Sequence, residues 1–539
     1  MGKFFNTAGP IRQEDHYCID PLRRINLDEI LDLIHQKKYF ILHAPRQTGK
    51  TSYLLALMDF LNKQGKFKAL YTNIEIAQAA RENVKEGMRA VLNALAEDAV
   101  DLLDDPVLEE NWKEIFEQRG EYSALKNLLS LWCQKSDKPV VLFIDEVDSL
   151  VGDTLISLLR QLRRGYANRP ALFPQSIILC GVRDVRDYRI HSDKDKSIIT
   201  GGSAFNIKAK SLRLGNFTSL EIEQLYLQHT TETGQRFSND VFPLAWDLTE
   251  GQPWLVNALA YEACFEMKEG RNRANEITAP MILQAKENLI SRRETHLDQL
   301  TDKLGEERVK RVLSPILAGT GDIEKIPEDD IDYVSDLGLI KREPQLRIAN
   351  RVYREIIPRQ LTYSAQLTIV QEASWYMMED GRLDMDKLLT AFQEFFRKHF
   401  ESWVDGFDYA EAGAQLLLQA FLQRIVNGGG RVEREYGLGR MRTDLLVVWP
   451  VRVDQNLPEN HYARFEHFQQ AVIELKLLRG KLDTAIENGL EQTFRYMDKC
   501  GTGEGYLLIF NPSPGVSWDE KIFKKEMSFQ GVKINTYGL

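Results

Sequence analysis

Eight residues, Ala44-Pro45-Arg46-Gln47-Thr48-Gly49-Lys50-Thr51, constrain the fold of this chain more than any others. They stand between a compact apolar run, residues 39–43, and a stretch in which Leu54, Leu57, Met58 and Leu61 recur at helical spacing. A buried strand that breaks at a tight turn and at once becomes a helix aims successive backbone N–H groups, and the positive end of the helix, at the space above the turn. Phosphate oxygens suit that space. The spacing is that of GxxxxGK[ST], with Ala44 in the place of the first glycine. The Gly49-Lys50-Thr51 end, which carries the phosphate chemistry, is intact. Lys50 is expected to reach the β- and γ-phosphates of ATP, and the Thr51 hydroxyl to ligate Mg²⁺.

Further apolar runs at 67–73, 139–144 and 176–180 alternate with helical patterns at 80–103 and 125–132. Strands alternating with helices predict an α/β fold, a parallel sheet covered by helices on both faces. Asp145 ends one of these runs, where it can hold the Mg²⁺ shell through water, and Glu146 beside it suits a catalytic base that polarises the attacking water. Arg183 follows the run 176–180 and is either a sensor of the γ-phosphate or a surface salt-bridge partner. Gly251-Gln252-Pro253 opens a helical pattern, either as a simple capping turn or as part of a lid closing near the nucleotide.

At 539 residues the chain is too long for one core. We divide it into a P-loop domain (1–215), a helical lid (216–303), two helices feeding a short hairpin in the layout of a winged helix (304–362), a helical linker (363–407) and a second α/β unit (408–539). The run Phe392, Phe395, Phe396, Phe400, Trp403 has near-helical spacing and reads as core rather than as a base-stacking platform. No apolar run is long enough to cross a bilayer, and Cys18, Cys133, Cys180, Cys264 and Cys500 lie far apart, so a cytoplasmic protein with neither a membrane segment nor a zinc site is expected. A net charge of −10 argues against a basic coat but leaves room for a local nucleic-acid groove.

A second constellation lies near the other end. Residues 432–436 and 443–449 flank the turn Gly437-Leu438-Gly439 as a hairpin, with Asp444 near the start of its second strand. The apolar run 471–475 carries Glu474 and, one step beyond, Lys476, on one face because alternate residues share a side. Carboxylates meeting across adjacent strands bind Mg²⁺ or Mn²⁺, which activates water and stabilises a pentavalent phosphate. Lys476 can orient the nucleophile or offset charge. Glu411, upstream, is expected as an additional ligand or supporting carboxylate. Gln492 and Tyr496 share a helix face and can reach the scissile phosphate, or serve as ordinary surface residues. The bland alternative for the whole set is an exposed strand with alternating polar residues.

Ala44 to Thr51, Asp145-Glu146, Gly181-Val182-Arg183-Asp184 and Gly251-Gln252-Pro253 resemble the AAA-like ATPases of the STAND and archaeal-ATPase group. The opening Phe5-Asn6-Thr7-Ala8-Gly9-Pro10 with His16-Tyr17 resembles bacterial AAA-like ATP-binding proteins. This resemblance covers about residues 5–360. It implies an α/β nucleotide domain, a helical lid and a winged helix, with ATP acting as a switch. Asp444, Glu474 and Lys476 resemble the PD-(D/E)XK nuclease superfamily over 408–539, including members fused to AAA-like ATPases. One departure is Thr443, where that pattern often has proline.

Three functional readings follow. The first is an ATP-binding and ATP-hydrolysing switch that controls a metal-dependent DNA nuclease, in defence or in a mobile element. The second is a non-cleaving signalling or scaffold ATPase whose C-terminal domain binds nucleic acid or protein. The third is a DNA-remodelling motor, which needs sustained turnover and usually a ring. Nucleic acid, most simply DNA, is the expected partner, and a homo-oligomer is compatible with all three.

Overall fold

Every residue of Val140–Asp145 and of Ser176–Gly181 is buried, as strands sandwiched between two helix layers must be. The computed structural model describes residues 2–183, 189–191, 198–200, 205–292, 303–318, 326–361, 376–404, 418, 421–422, 431–438, 441–451, 467–478, 480–511, 513 and 515–539. Within them the chain forms two units. One comprises Met1–Asp298 with Asp332–Gln345 and Ala349–Val352, and the other Gln299–Ile331 with Leu346–Ile348 and Tyr353–Leu539.

In the first unit, β1 (Tyr39–His43), β2 (Lys68–Asn73), β3 (Val140–Asp145), β4 (Ser176–Gly181) and β5 (Lys208–Arg213) form a sheet of order β2-β3-β4-β1-β5. All its pairings are parallel. Phe40, Leu42, Val141, Phe143 and Ile178 pack with α1 (Leu27–His35) and α2 (Lys50–Gln64) on one face. Tyr39, Ile41, Leu142, Ile144 and Leu179 pack on the other with α3 (Val84–Leu103), α4 (Val107–Arg119), α5 (Ala124–Lys135) and α6 (Gly152–Gly165). This is the expected helix-covered parallel sheet.

Two elements lack the patterns that sequence reading depends on. β5 is an edge strand with Lys208, Lys210 and Arg213 among its six residues, and it shows no apolar run. Its one buried residue is Leu212. Helix α4 buries only Leu108 and Trp112. The helix expected from residue 80 starts at Val84, after a 3-10 helix at Glu75–Ala80. Arg81, at φ 47°, turns the chain between them, and Asn83 caps the new start by accepting from Glu86 N–H.

Residues 219–292 are mainly helical, as expected, in α7 (Ser219–Thr233), α8 (Val241–Thr249), α9 (Pro253–Tyr261) and α10 (Ala279–Arg292), with Phe237 and Ile277 bridging in parallel between loops. Thr218 and Glu221 form a reciprocal capping box at the start of α7. The N-terminal segment lies against these helices. Phe4–Phe5 pairs in parallel with His16–Tyr17, Gln228 bonds both backbone groups of Cys18, and Trp254 Nε1 donates to the Thr7 carbonyl at 2.8 Å. Helices α11 (Glu307–Ala318) and α12 (Glu328–Asp336) precede short strands at Ile340–Lys341 and Arg347–Ile348, and α13 (Arg351–Leu361) follows.

In the second unit, α14 (Met385–Val404) and α15 (Leu482–Cys500) accompany a mixed sheet of six strands. The strands are β6 (Arg431–Leu438), β7 (Met441–Val451), β8 (His467–Leu477), β9 (Glu504–Phe510), β10 (Phe523–Phe529) and β11 (Val532–Gly538), in the order β6-β7-β8-β9-β11-β10. The expected hairpin is β6–β7, but its pairing reaches Leu438↔Met441, so the first strand runs through two of the three residues expected as turn. Phe392, Phe395 and Phe396 of α14 are core, packed with Leu445, Ile473 and Leu508. The segment read as a linker therefore supplies one wall of this unit. Helix α15 covers the opposite face, with Ile486, Leu490 and Met497 against Leu446, Val472 and Leu507. A Cβ on Gly489 would fall 2.6 Å from Leu507 Cδ1, and one on Gly505 2.2 Å from Met497 Sδ. The two glycines let helix and sheet approach this closely. Among the described residues no helix is long and apolar enough to cross a membrane.

Candidate functional site

The turn after β1 carries the eight-residue motif. Gln47 and Gly49 both adopt positive φ, 56° and 90°, and Thr48 Oγ1 donates to the Pro45 carbonyl at 2.7 Å, which closes the loop on itself. Helix α2 begins at Lys50 and stops at Gly65, whose φ of 73° suits a left-handed cap. Lys50 is 6% exposed, and its ammonium donates to the carbonyls of Ala44 and Pro45 at 3.0 and 3.2 Å. Ala44, the departure from the glycine pattern, is buried and donates its N–H to Gly181 O across β1 and β4. Arg46 is exposed.

Asp145, at the end of β3, is 0% exposed. Its Oδ2 accepts from Thr51 Oγ1 at 2.8 Å and from Tyr71 OH at 3.0 Å, and its Oδ1 accepts from the Glu146 N–H at 2.9 Å. The fold thus joins Thr51 and Asp145, the two residues read as serving Mg²⁺. Tyr71, on the neighbouring strand β2, was not singled out, because a tyrosine in an apolar run reads as core. Glu146 has φ 56°, and burial, with Asp148 next in weight, pushes its carboxyl up to about 7. That is the range in which a general base works near neutral pH.

Arg183 is brought to the segment after α12. Its Nε lies 3.3 Å from Asp336 Oδ2, and its guanidinium sits over the Tyr333 ring at 4.9 Å. Burial raises the Asp336 carboxyl above its ordinary value, with the Arg183 charge acting in the opposite direction. Arg213 donates to the Ser335 carbonyl at 3.0 Å, and a Cβ on Gly338 would stand 2.7 Å from Pro45 Cγ. Residues 333–338 therefore touch both Arg183 and the phosphate loop. Of the two readings of Arg183, the salt bridge is present.

In the second unit, Glu474 lies on β8, 3% exposed, and Lys476 Nζ donates to its Oε1 at 2.9 Å. Both share the strand face of Val472, which packs on the α15 side. Gln492 is on α15, with its amide oxygen buried and no hydrogen-bond partner among the described residues. Asp444 belongs to β7, but its side chain lies outside the described residues, as does Glu411 altogether.

A nucleotide-ready turn after a central parallel strand, with an Asp-Glu pair ending the adjacent-but-one strand, defines the class of P-loop ATPases. The AAA-like domain family matches residues 22–355, and the chain belongs to it. Solved structures to which the chain is similar include the Walker-type ATPase PABY2304 of Pyrococcus abyssi. It is 15% identical, with 66% of this chain and 99% of that chain covered and a TM-score of 0.43. Cdc6p of Pyrobaculum aerophilum is 15% identical, covering 64% and 93%, with a TM-score of 0.34. The Holliday junction branch migration motor RuvB of Thermotoga maritima is 13% identical, covering 62% and 95%, with a TM-score of 0.32. No curated protein matches the chain.

The residues present fit Mg²⁺ and ATP. A hydroxyl and a carboxylate 2.8 Å apart are hard oxygen donors of the kind Mg²⁺ takes. The loop N–H groups and Lys50 would hold the phosphates.

Proposed function

We propose that this protein is an ATP-driven switch controlling a metal-dependent DNA nuclease. The observation that carries the nuclease half is buried Glu474 on β8, paired with the half-buried Lys476 two residues on. Register supports it: Leu445 pairs with Ile473 in antiparallel β7–β8, so one residue further on Asp444 would stand across from Glu474. Together these carboxylates would hold Mg²⁺ or Mn²⁺, whose bound water supplies the nucleophile. Lys476 would offset charge on the phosphate, and Gln492, whose buried amide oxygen has no partner among the described residues, and Glu411 would complete the site. All five cysteines are free, which agrees with a cytoplasmic protein. The test is cleavage of plasmid, linear and single-stranded DNA with Mg²⁺ or Mn²⁺, beside Glu474→Ala. Cutting that vanishes in the variant supports the nuclease.

The second reading, a scaffold that does not cut, draws on the same contact, since an ion pair at 2.9 Å also serves structure alone. Metal-independent binding of DNA with no cleavage on any substrate would favour it.

The switch half rests on Arg183. A γ-phosphate would compete with Asp336 for its guanidinium, so nucleotide and residues 333–338 would be in balance. Asp336→Ala is expected to tighten ATP binding by roughly fivefold or more while leaving ADP binding unchanged, a coupling of ordinary size. Titration of both nucleotides checks this, and an equal change for both would count against the switch.

Glu146 gives a pH prediction. Its folded pKa of about 7 lies above the ordinary 4.5, so it is protonated in acid and becomes a base only as pH rises through about 7. ATP turnover should therefore rise about tenfold per unit from pH 5 to 7 and level off above it. The sign for stability is opposite: the raised pKa stabilises the fold fully below 4.5, and that contribution is lost as pH rises through about 7. A rate profile that is flat across pH 5–8 would remove Glu146 as the base.

A further inference from the structure

The carbonyl of Thr48 and the N–H of Gly49 belong to one trans peptide and so point in opposite directions. Arg24 Nη1 donates to that carbonyl at 3.0 Å, and a Cβ on Gly49 would come within 3.4 Å of the same nitrogen. Drawing the carbonyl toward Arg24 turns the Gly49 N–H away from it, to the side where the loop meets phosphate. Gly49 holds this geometry at φ 90°, open to glycine and strained for other residues.

The same guanidinium has a second set of bonds. Nη2 donates to the Gly215 carbonyl, and Cζ lies 4.7 Å from the centre of the Phe217 ring. Phe217 is where the Gly251-Gln252-Pro253 turn comes to rest. Its N–H donates to Gly251 O at 2.8 Å, and a Cβ on Gly251 would fall 1.9 Å from Phe217 O. Arg24 is itself fixed by the 3-10 helix Pro21–Arg24, whose start Asp20 caps by accepting from Leu22 N–H. Burial lowers its pKa to about 10, which leaves it charged at neutral pH. A cation bonded to two backbone carbonyls, one on the phosphate loop and one at the root of α7, links the two.

We propose that Arg24 is a positioning residue for phosphate binding, which sets the Thr48–Gly49 peptide for the β-phosphate and ties it to the root of the lid at Gly215 and Phe217. The proposal rests on the nucleotide-binding reading above, and the test separates the two. ADP and AMP are titrated calorimetrically into wild type, Arg24→Met and Arg24→Lys, with thermal midpoints recorded without nucleotide. Arg24→Met is expected to lose about tenfold or more in ADP affinity, the usual worth of a charge-assisted hydrogen bond, with AMP affinity unchanged. Arg24→Lys should fall between, because an ammonium replaces one of the two carbonyl bonds. Equal losses for ADP and AMP, or ADP affinity unchanged, would overturn the role of Arg24. If Arg24→Met does not fold, the ADP-to-AMP ratio of Arg24→Lys decides by the same criterion. Wild type that binds neither nucleotide would overturn the nucleotide reading itself.

Discussion

Lys50→Ala is expected to weaken ATP binding by about 2–5 kcal/mol, the cost of truncating one side of a buried, hydrogen-bonded charge pair. That corresponds to roughly thirtyfold to several-thousandfold in Kd. The reason is geometric as well as electrostatic. Lys50 is buried at the start of α2, where the helix end and the loop N–H groups already favour an anion. Alanine is a good helix former, and the two carbonyls that Lys50 bonds, Ala44 O and Pro45 O, would each lose about 1 kcal/mol of hydrogen bonding. The fold should survive while nucleotide binding does not. Equilibrium titration with ATP and a thermal melt without it separate the two effects. A variant that keeps wild-type affinity would mean that the loop does not serve phosphate.

The second large effect is expected at Glu474. Glu474→Ala should lower divalent-metal-dependent DNA cleavage by about a hundredfold to a thousandfold, since a single group that stabilises a developing charge is worth about 10²–10³. Glu474→Gln is the sharper variant. It keeps the volume of the buried side chain and a hydrogen-bond acceptor for Lys476, yet removes the charge a cation needs. Stability should change little in Glu474→Gln, because the Lys476 side chain retains 27% exposure and can turn to water. Calorimetric titration with Mn²⁺ offers an independent readout: binding present in wild type and gone in Glu474→Gln supports the metal site. Unaltered Mn²⁺ binding, or cleavage that survives in both variants, would reduce the pair to a structural ion bridge.

Much of the first unit was legible because burial on both faces writes an unbroken apolar run. Residues 39–43, 139–144 and 176–180 became β1, β3 and β4 nearly to the residue. The link between Thr51 and Asp145 was readable too, because motif chemistry demands both at one place. What sequence could not give was contact made by residues with no local signature. Asp336 and Tyr333 lie 150 or more positions from Arg183, in a stretch that reads only as a helix end. Arg24 follows another arginine in an unremarkable turn, and only the fold separates it from exposed Arg23. β5 stayed hidden because an edge strand with Lys208, Lys210 and Arg213 among its six residues carries no apolar pattern. Phe392, Phe395 and Phe396 of α14 were read correctly as core, while the side chains of Phe400 and Trp403 lie outside the described residues; which core the three serve depends on a sheet that forms more than 30 residues later.

The measurement that bears most directly on an ATP-controlled nuclease is the rate of DNA cutting in Mg²⁺ or Mn²⁺, with and without ATP, in wild type and Lys50→Ala. The account predicts a wild-type rate that changes with ATP and a Lys50→Ala rate that does not, with cutting in both abolished by Glu474→Gln. Cutting that proceeds identically with and without ATP in wild type, or no metal-dependent cutting on any substrate while ATP still binds, would contradict it.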